Sequence, residues 1–302
     1  MDLNPIQLVF LANSVFVAGV GILIHLIEPH LPILLTRTYR YGKSSVKLEQ
    51  PVVARVEVPK RWFAHFYAFS APVSTIVLAL IVYRYFYNGI PPEIIYQTLD
   101  RFFDKSRKPL VPAANTLLAG ALLTIQCSKR FYESYFVSIF SDGKMNLIHY
   151  AAGFIHYVGA ITCIIGESEG FVRGSQDVTK LTQLTLLDYG SAFVFLWSCY
   201  KQLRSNYILV ALRKNEKGVV VTKGYKVPHG ELFEYISAPL QFTEILMYVS
   251  LDVILWKSRS YHYVFWWVLI NQCECALTSH RWYQKTFKNY PKNRKALIPL
   301  VL

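Results

Sequence analysis

Three groups of residues in this sequence have the types and spacing to do chemistry. Glu244 closes the segment Tyr235-Ile-Ser-Ala-Pro-Leu-Gln-Phe-Thr-Glu244, ten residues after Glu234, inside a run apolar enough for a membrane interior. A carboxylate there costs about 2.5–3.5 kcal/mol on insertion scales, so it either faces an interior cavity with a function or bonds a neighbouring helix as a structural group. The second group is His280-Arg-Trp-Tyr283 with Lys285, Lys288 and Tyr290-Pro-Lys292-Asn-Arg294-Lys295, following the last apolar run. A basic tail in that place fixes topology and meets lipid headgroups. His and Tyr interleaved with the cations also suit phosphates and an aromatic ring, and Arg204, Arg213, Lys214 and Lys226 can complete one anion pocket on the same side. The third is Lys60-Arg-Trp-Phe-Ala-His65-Phe-Tyr67, where His65 and Tyr67 can each donate to a carbonyl oxygen and act as general acid, or serve only as interfacial anchors.

Other signals carry nothing. Gly19-Val-Gly21 lacks the third glycine and the preceding strand of a dinucleotide fingerprint. His149 and His156, seven apart, can share a helix face, but a bis-His haem needs partners from another helix. The five cysteines form no CxxC pair, so neither a disulfide framework nor a metal site is expected.

The elements that must position these groups follow from composition. Of 302 residues, 53% are hydrophobic and 17% charged, too apolar for a soluble domain, where about a quarter are charged. The apolar runs recur along the whole length, which reads as one membrane-embedded domain over residues 1–302. A bilayer core needs about 20 apolar helical residues. Seven runs approach that: Ile6–Ile27, Phe69–Phe86, Leu110–Cys127, Leu147–Ile165, Leu184–Tyr200, Tyr235–Trp256 and Tyr261–Thr278, with Asp188, Glu244 and Asp252 blurring the fifth and sixth. The expected architecture is an all-α integral membrane protein of about seven transmembrane helices in one bundle. Of the 32 Lys and Arg, 23 fall on the side of the C-terminus, which the positive-inside rule makes cytoplasmic. The formal net charge of +13 then belongs to a membrane surface and an anionic cofactor, not to nucleic acid. The start lacks the basic residues and cleavage site of a removable signal, so the first run is expected to stay as an anchor. The longest internal polar stretch, Lys201–Glu234, has the length of a binding loop.

The C-terminal third resembles the steroid 5α-reductase family, and within it the polyprenol reductase branch. The resemblance rests on Leu212-Arg-Lys-Asn-Glu-Lys-Gly-Val-Val220, Val227-Pro-His-Gly-Glu-Leu-Phe-Glu-Tyr-Ile-Ser-Ala-Pro239, Glu244-Ile-Leu-Met-Tyr-Val-Ser250, Asn271-Gln272, and Ser279-His-Arg-Trp-Tyr283 through Tyr290-Pro-Lys-Asn-Arg-Lys-Ala-Leu-Ile-Pro299. Arg61-Trp-Phe-Ala-His-Phe-Tyr67 and Arg130-Phe-Tyr-Glu133 match the polyprenol branch. The resemblance implies a seven-helix reductase of the endoplasmic reticulum membrane that uses NADPH, with residues 201–302 carrying most of the NADPH-binding motifs. It implies that Asn206, Arg213, Tyr225, Glu244, His280 and Tyr283 contact the cofactor or support its site, and that Lys226 stands where steroid-reducing members use another cation. Leu240-Gln241 departs from the family's Asn-aromatic pair, so one cofactor contact is either missing or supplied by Gln241. Steroid-reducing members carry Gln-Glu where this chain has His65-Phe66, which disfavours steroids and hands the acid's role to His65 or Tyr67.

The activity so implied is reduction of the α-isoprene double bond of a long-chain polyprenoid, a step toward dolichol and protein N-glycosylation. Hydride addition to an allylic alcohol leaves negative charge with no place to go, whereas an α,β-unsaturated aldehyde delocalises it onto oxygen, so polyprenal is the expected substrate, with donors such as Tyr67 and His65 stabilising the enolate. His65, Tyr67 and His280 are the candidate catalytic groups. Alternatives are a 3-oxo-5α-steroid 4-dehydrogenase, an isoprenylcysteine-methyltransferase-like enzyme, whose C-terminal acidic pair is lacking, and a non-enzymatic membrane protein or transporter, for which neither paired broken helices nor an inverted repeat is visible.

Overall fold

The computed structural model describes residues 3–32, 35, 36, 39, 55–175 and 184–301. These form eight α-helices: α1 (Pro5–Ile27), α2 (Phe63–Phe86), α3 (Glu93–Phe103), α4 (Ala113–Tyr132), α5 (Leu147–Gly166), α6 (Leu186–Ala211), α7 (Pro239–Ile254) and α8 (Tyr261–Thr286). Each of the seven apolar runs falls on one of the seven long helices; the eighth, α3, is a short helix between α2 and α4. Among the described residues three stretches, Pro5–His30, Lys60–Phe86 and Leu147–Gly166, are long and apolar enough on their own to cross a membrane.

Boundaries move where local chemistry overrides hydropathy. Helix α2 starts at Phe63, six residues before the apolar run, because the turn Lys60–Trp62 feeds directly into it. Helix α7 starts at Pro239 and not Tyr235, since proline fits the first helical position, where its missing N–H is no loss. The polar stretch expected from Lys201 is helical as far as Ala211, so Lys201, Arg204 and Asn206 sit on α6 and the loop proper follows it. Asp188, which blurred the fifth run, is a capping residue: its backbone N–H donates to Thr185 Oγ1 at 3.2 Å and its carboxylate accepts from Thr185 N at 2.7 Å. The same carboxylate accepts from Asn115 Nδ2, which also bonds the Ile254 carbonyl, tying α4, α6 and α7 together at one end of the bundle. Asp252 pairs with His262 Nδ1 at 2.8 Å, at the turn between α7 and α8. Both carboxylates thus serve helix ends, which leaves Glu244 in mid-helix to be explained.

Helix α6 packs most closely on α7, α2 on α4, and α1 on α8. Small residues let the helices approach, as in membrane bundles generally. Phe10 of α1, fully buried, lies against Gly159 of α5, where a Cβ would come within 2.2 Å of its ring. At the opposite end of the bundle from Asn115, a short antiparallel pair joins β1 (Glu57–Pro59) to β2 (Lys144–Asn146), in the register Glu57↔Asn146. This pair sets the starts of α2 and α5 side by side, which brings Tyr67 and Tyr157 ring to ring at 5.7 Å.

Candidate active site

A cavity of about 590 Å³ lies between the helices. Seven of the nine site residues singled out in the sequence line it: Tyr67, Asn206, Arg213, Tyr225, Lys226, Glu244 and Tyr283. His65 and His280 do not. His65 is exposed on the outer face of α2, its Nδ1 3.0 Å from the Tyr150 hydroxyl and its ring against Trp62. Residues two apart on a helix point about 200° apart, so only one of His65 and Tyr67 can face inward. His280 sits behind the wall: Nδ1 meets Ser237 Oγ at 2.6 Å, Ser237 meets the Tyr290 hydroxyl at 2.5 Å, and Tyr290 stacks on Tyr283 with the rings 9° from parallel.

Glu244 combines both roles the sequence left open. Its Oε2 accepts from Gln202 Nε2 at 2.6 Å and Gln126 Nε2 at 3.3 Å, while the side chain also lines the cavity. Gln126 Nε2 in turn donates to Gln202 Oε1 at 3.0 Å, so α4, α6 and α7 meet in one polar knot.

A second polar group lies across the cavity wall. Arg130 Nη2 donates to the Tyr67 hydroxyl at 2.9 Å, with the guanidinium 4.7 Å from the Tyr67 ring centroid. Arg130 Nη1 donates to Glu133 Oε2 at 2.5 Å. Lys129 Nζ bonds Gln202 Oε1 at 2.5 Å and lies 3.7 Å from Glu133 Oε1, joining the two groups. The Arg130-Phe-Tyr-Glu133 motif contained this pair, but nothing in the sequence showed that it reaches Tyr67. Gln126, inside an apolar run, and Gln202, at the start of the polar stretch, gave no sequence signal, because an uncharged amide carries no mark of its partner.

At the basic end, Arg213 donates to the Ile139 carbonyl and lies over the Tyr225 ring at 5.4 Å, and Tyr225 meets Ser141 Oγ at 3.0 Å. Lys226 and Lys60 also line the cavity here. Arg204 turns away instead: with Lys201 it binds Glu231, at 3.0 and 2.7 Å. The hydrogen bond from Lys201, joined by that from Arg204, holds the Glu231 carboxyl below its ordinary pKa. Lys214 stays exposed outside the cavity. Phe16, Val17, Val20, Phe63 and Phe66 give the lining its apolar part, with Phe66 seated against Gly153, whose missing Cβ leaves room for the ring.

The cavity is lined by the cations Arg213 and Lys226, the carboxylates Glu244 and Glu274 and the apolar Phe16, Phe63 and Phe66, and much of that lining comes from a stretch that matches a known family. Residues 132–302 match the family described as 3-oxo-5-alpha-steroid 4-dehydrogenase. The chain belongs to that family. It is 39% identical to the polyprenal reductase of Drosophila melanogaster over 99% of this chain and 94% of the relative. It is 35% identical to that of Caenorhabditis elegans, over 92% and 90%, and 28% identical to that of Homo sapiens, over 99% and 96%. As a 3-oxo-5-alpha-steroid 4-dehydrogenase family member it is an oxidoreductase acting on a carbon–carbon double bond, with a nicotinamide cofactor. The site fits such a cofactor. Asn206, only 8% exposed on the cavity wall, holds a buried Nδ2 with no partner among the described residues, a donor that a bound carbonyl, hydroxyl or phosphate oxygen would satisfy. Arg213 and Lys226 supply positive charge for phosphates beside it.

Proposed function

We propose that this protein reduces the α-isoprene double bond of a long-chain polyprenal with NADPH, at the endoplasmic reticulum membrane, in the route to dolichol that supports protein N-glycosylation. The observation that carries this reading is the Tyr67 hydroxyl, held by Arg130 at 2.9 Å in the wall of a cavity that also contains Glu244. Arg130 has donors and no acceptor, so the Tyr67 oxygen accepts from it and the phenolic hydrogen is free to point at another acceptor. In this reading that acceptor is the aldehyde oxygen of the substrate.

NADPH, when bound, would supply a hydride for the β-carbon. The electron pair of the double bond moves toward the aldehyde oxygen, where Tyr67 donates its hydrogen bond to the developing negative charge, and the α-carbon then takes up a proton. Glu244, kept in place by Gln202 and Gln126, would accept from the carboxamide of the nicotinamide or from a ribose hydroxyl. Asn206, Arg213, Tyr225, Lys226 and Tyr283 would hold the rest of the dinucleotide, Arg213 and Lys226 supplying positive charge for its phosphates. Ser237 and Tyr290 link His280 to Tyr283, so His280 acts on the cofactor wall and Tyr67 is the donor to substrate. The isoprenoid tail lies along the wall of Phe16, Phe63 and Phe66. In the membrane, the seven long helices cross the bilayer and the basic end of the cavity faces the cytoplasm.

The test is isotopic. With polyprenal and NADPH deuterated at the transferred position, deuterium is expected at the β-carbon of a saturated aldehyde, read by mass spectrometry and NMR. Deuterium at the carbonyl carbon, giving an unsaturated alcohol, would overturn the reading.

A further inference from the structure

We propose that Glu133 is a positioning residue for this reduction, fixing the Arg130 guanidinium so that the Tyr67 hydroxyl presents its hydrogen to the substrate. The inference rests on the assignment of Tyr67 made above. Glu133 is fully buried, at 0% exposure, among apolar helices. A carboxylate in such surroundings persists only when paired. Here its Oε2 takes Arg130 Nη1 at 2.5 Å, and Lys129 Nζ lies 3.7 Å from Oε1.

The geometry gives this pairing a purpose beyond neutralising charge. Arg130 uses one arm of its planar fork for Glu133 and the other, Nη2, for the Tyr67 hydroxyl at 2.9 Å. Because the two nitrogens belong to one rigid plane, fixing Nη1 fixes the direction from which Nη2 reaches Tyr67. Without Glu133 the guanidinium is free to rotate, and the lone pair of Tyr67 that faces it is no longer dictated. The phenolic hydrogen then loses its single direction. The backbone supports the same conclusion. Helix α4 ends at Tyr132 and continues as a π-helical turn over Glu133–Val137, with Ser138 N donating to the Glu133 carbonyl at 2.7 Å. Such turns are uncommon and concentrate at functional sites.

Glu133 also joins the two halves of the cavity. Lys129, its second cation, bonds Gln202 Oε1, and Gln202 bonds Glu244 at 2.6 Å. The groups assigned to cofactor and to substrate therefore share one frame, and Glu133 is the buried carboxylate of its substrate side.

The experiment uses the full-length protein in detergent, with NADPH and polyprenal. Glu133→Gln is expected to lower kcat about 10²-fold, the scale of an ångström-sized misplacement of a reacting group. The KM for NADPH should stay within about twofold, and Glu133→Asp should restore part of the loss. In a Tyr67→Phe background, Glu133→Gln should have no further effect on kcat, because the group it positions is gone. A wild-type kcat in Glu133→Gln overturns the proposal, and so does an equal loss in both backgrounds, which marks a general structural role. If Glu133→Gln does not fold, Arg130→Lys reads the same link: an ammonium cannot span both partners as the fork does, and an unchanged kcat there overturns the proposal. A wild-type kcat in Tyr67→Phe would instead remove the assignment of Tyr67, a separate failure.

Discussion

Replacing Tyr67 by Phe is expected to lower kcat for polyprenal by about 10²–10³-fold, the range found when one donor to a developing oxyanion is removed. The ring, its T-shaped contact with Tyr157 at 5.7 Å and its place under the Arg130 guanidinium survive the change, so only the hydroxyl is lost. The KM for NADPH should stay within about twofold, since the hydroxyl is bonded to Arg130 and belongs to the substrate side of the cavity. Steady-state kcat and KM, measured separately for both substrates, check this. Arg130 loses an acceptor in the variant, but it keeps Glu133, so the fold should hold. A loss confined to NADPH binding, with kcat intact, would place Tyr67 on the cofactor side and remove it as the donor.

The second large effect is on the cofactor. Glu244→Gln should weaken NADPH by about 10–150-fold, the range of about 1.5–3 kcal/mol for a hydrogen bond to a charged group. Two consequences combine. The carboxylate that accepts from the cofactor becomes a weaker, neutral acceptor. The amide oxygen can take the place of Oε2 and keep accepting from Gln202 Nε2 and Gln126 Nε2, as Oε2 did at 2.6 and 3.3 Å, which leaves an NH2 donor where the second carboxylate oxygen had been an acceptor. Titration of NADPH by fluorescence or calorimetry, with circular dichroism to follow folding, separates affinity from stability. Unchanged NADPH affinity and unchanged turnover would assign Glu244 a purely structural place in the knot between α4, α6 and α7.

The elements were legible where a simple physical rule decides them. Runs of apolar residues long enough for a bilayer become long helices, and each of the seven marked in the sequence does so. The capping box of Thr185 and Asp188 has the same local character, yet in the sequence Asp188 stood out only as a charge blurring the fifth run. Pairing between distant segments was not legible. His65 and Tyr67 looked equivalent as donors because their chemistry is similar; which one faces the cavity depends on how α2 is rotated by its packing on α4 and α5. His280 and Tyr283 likewise share a motif, yet Tyr283 lines the cavity while His280 bonds Ser237 behind it. The Gln126–Gln202–Glu244 knot brings together residues as far apart as 118 positions, a separation at which no sequence spacing carries information. Gln241, flagged as a substitute contact where the family pattern departs, does line the cavity.

The most direct test of the account is single-turnover NADPH oxidation by the detergent-solubilised protein, with polyprenal, the matching polyprenol and a 3-oxo-4-ene steroid compared in parallel. The account expects rapid oxidation and a saturated aldehyde from polyprenal, and neither from the alcohol, whose double bond offers no oxygen to receive the charge. Fast reduction of the steroid with none of polyprenal, or no oxidation with any of the three by folded protein, would contradict it.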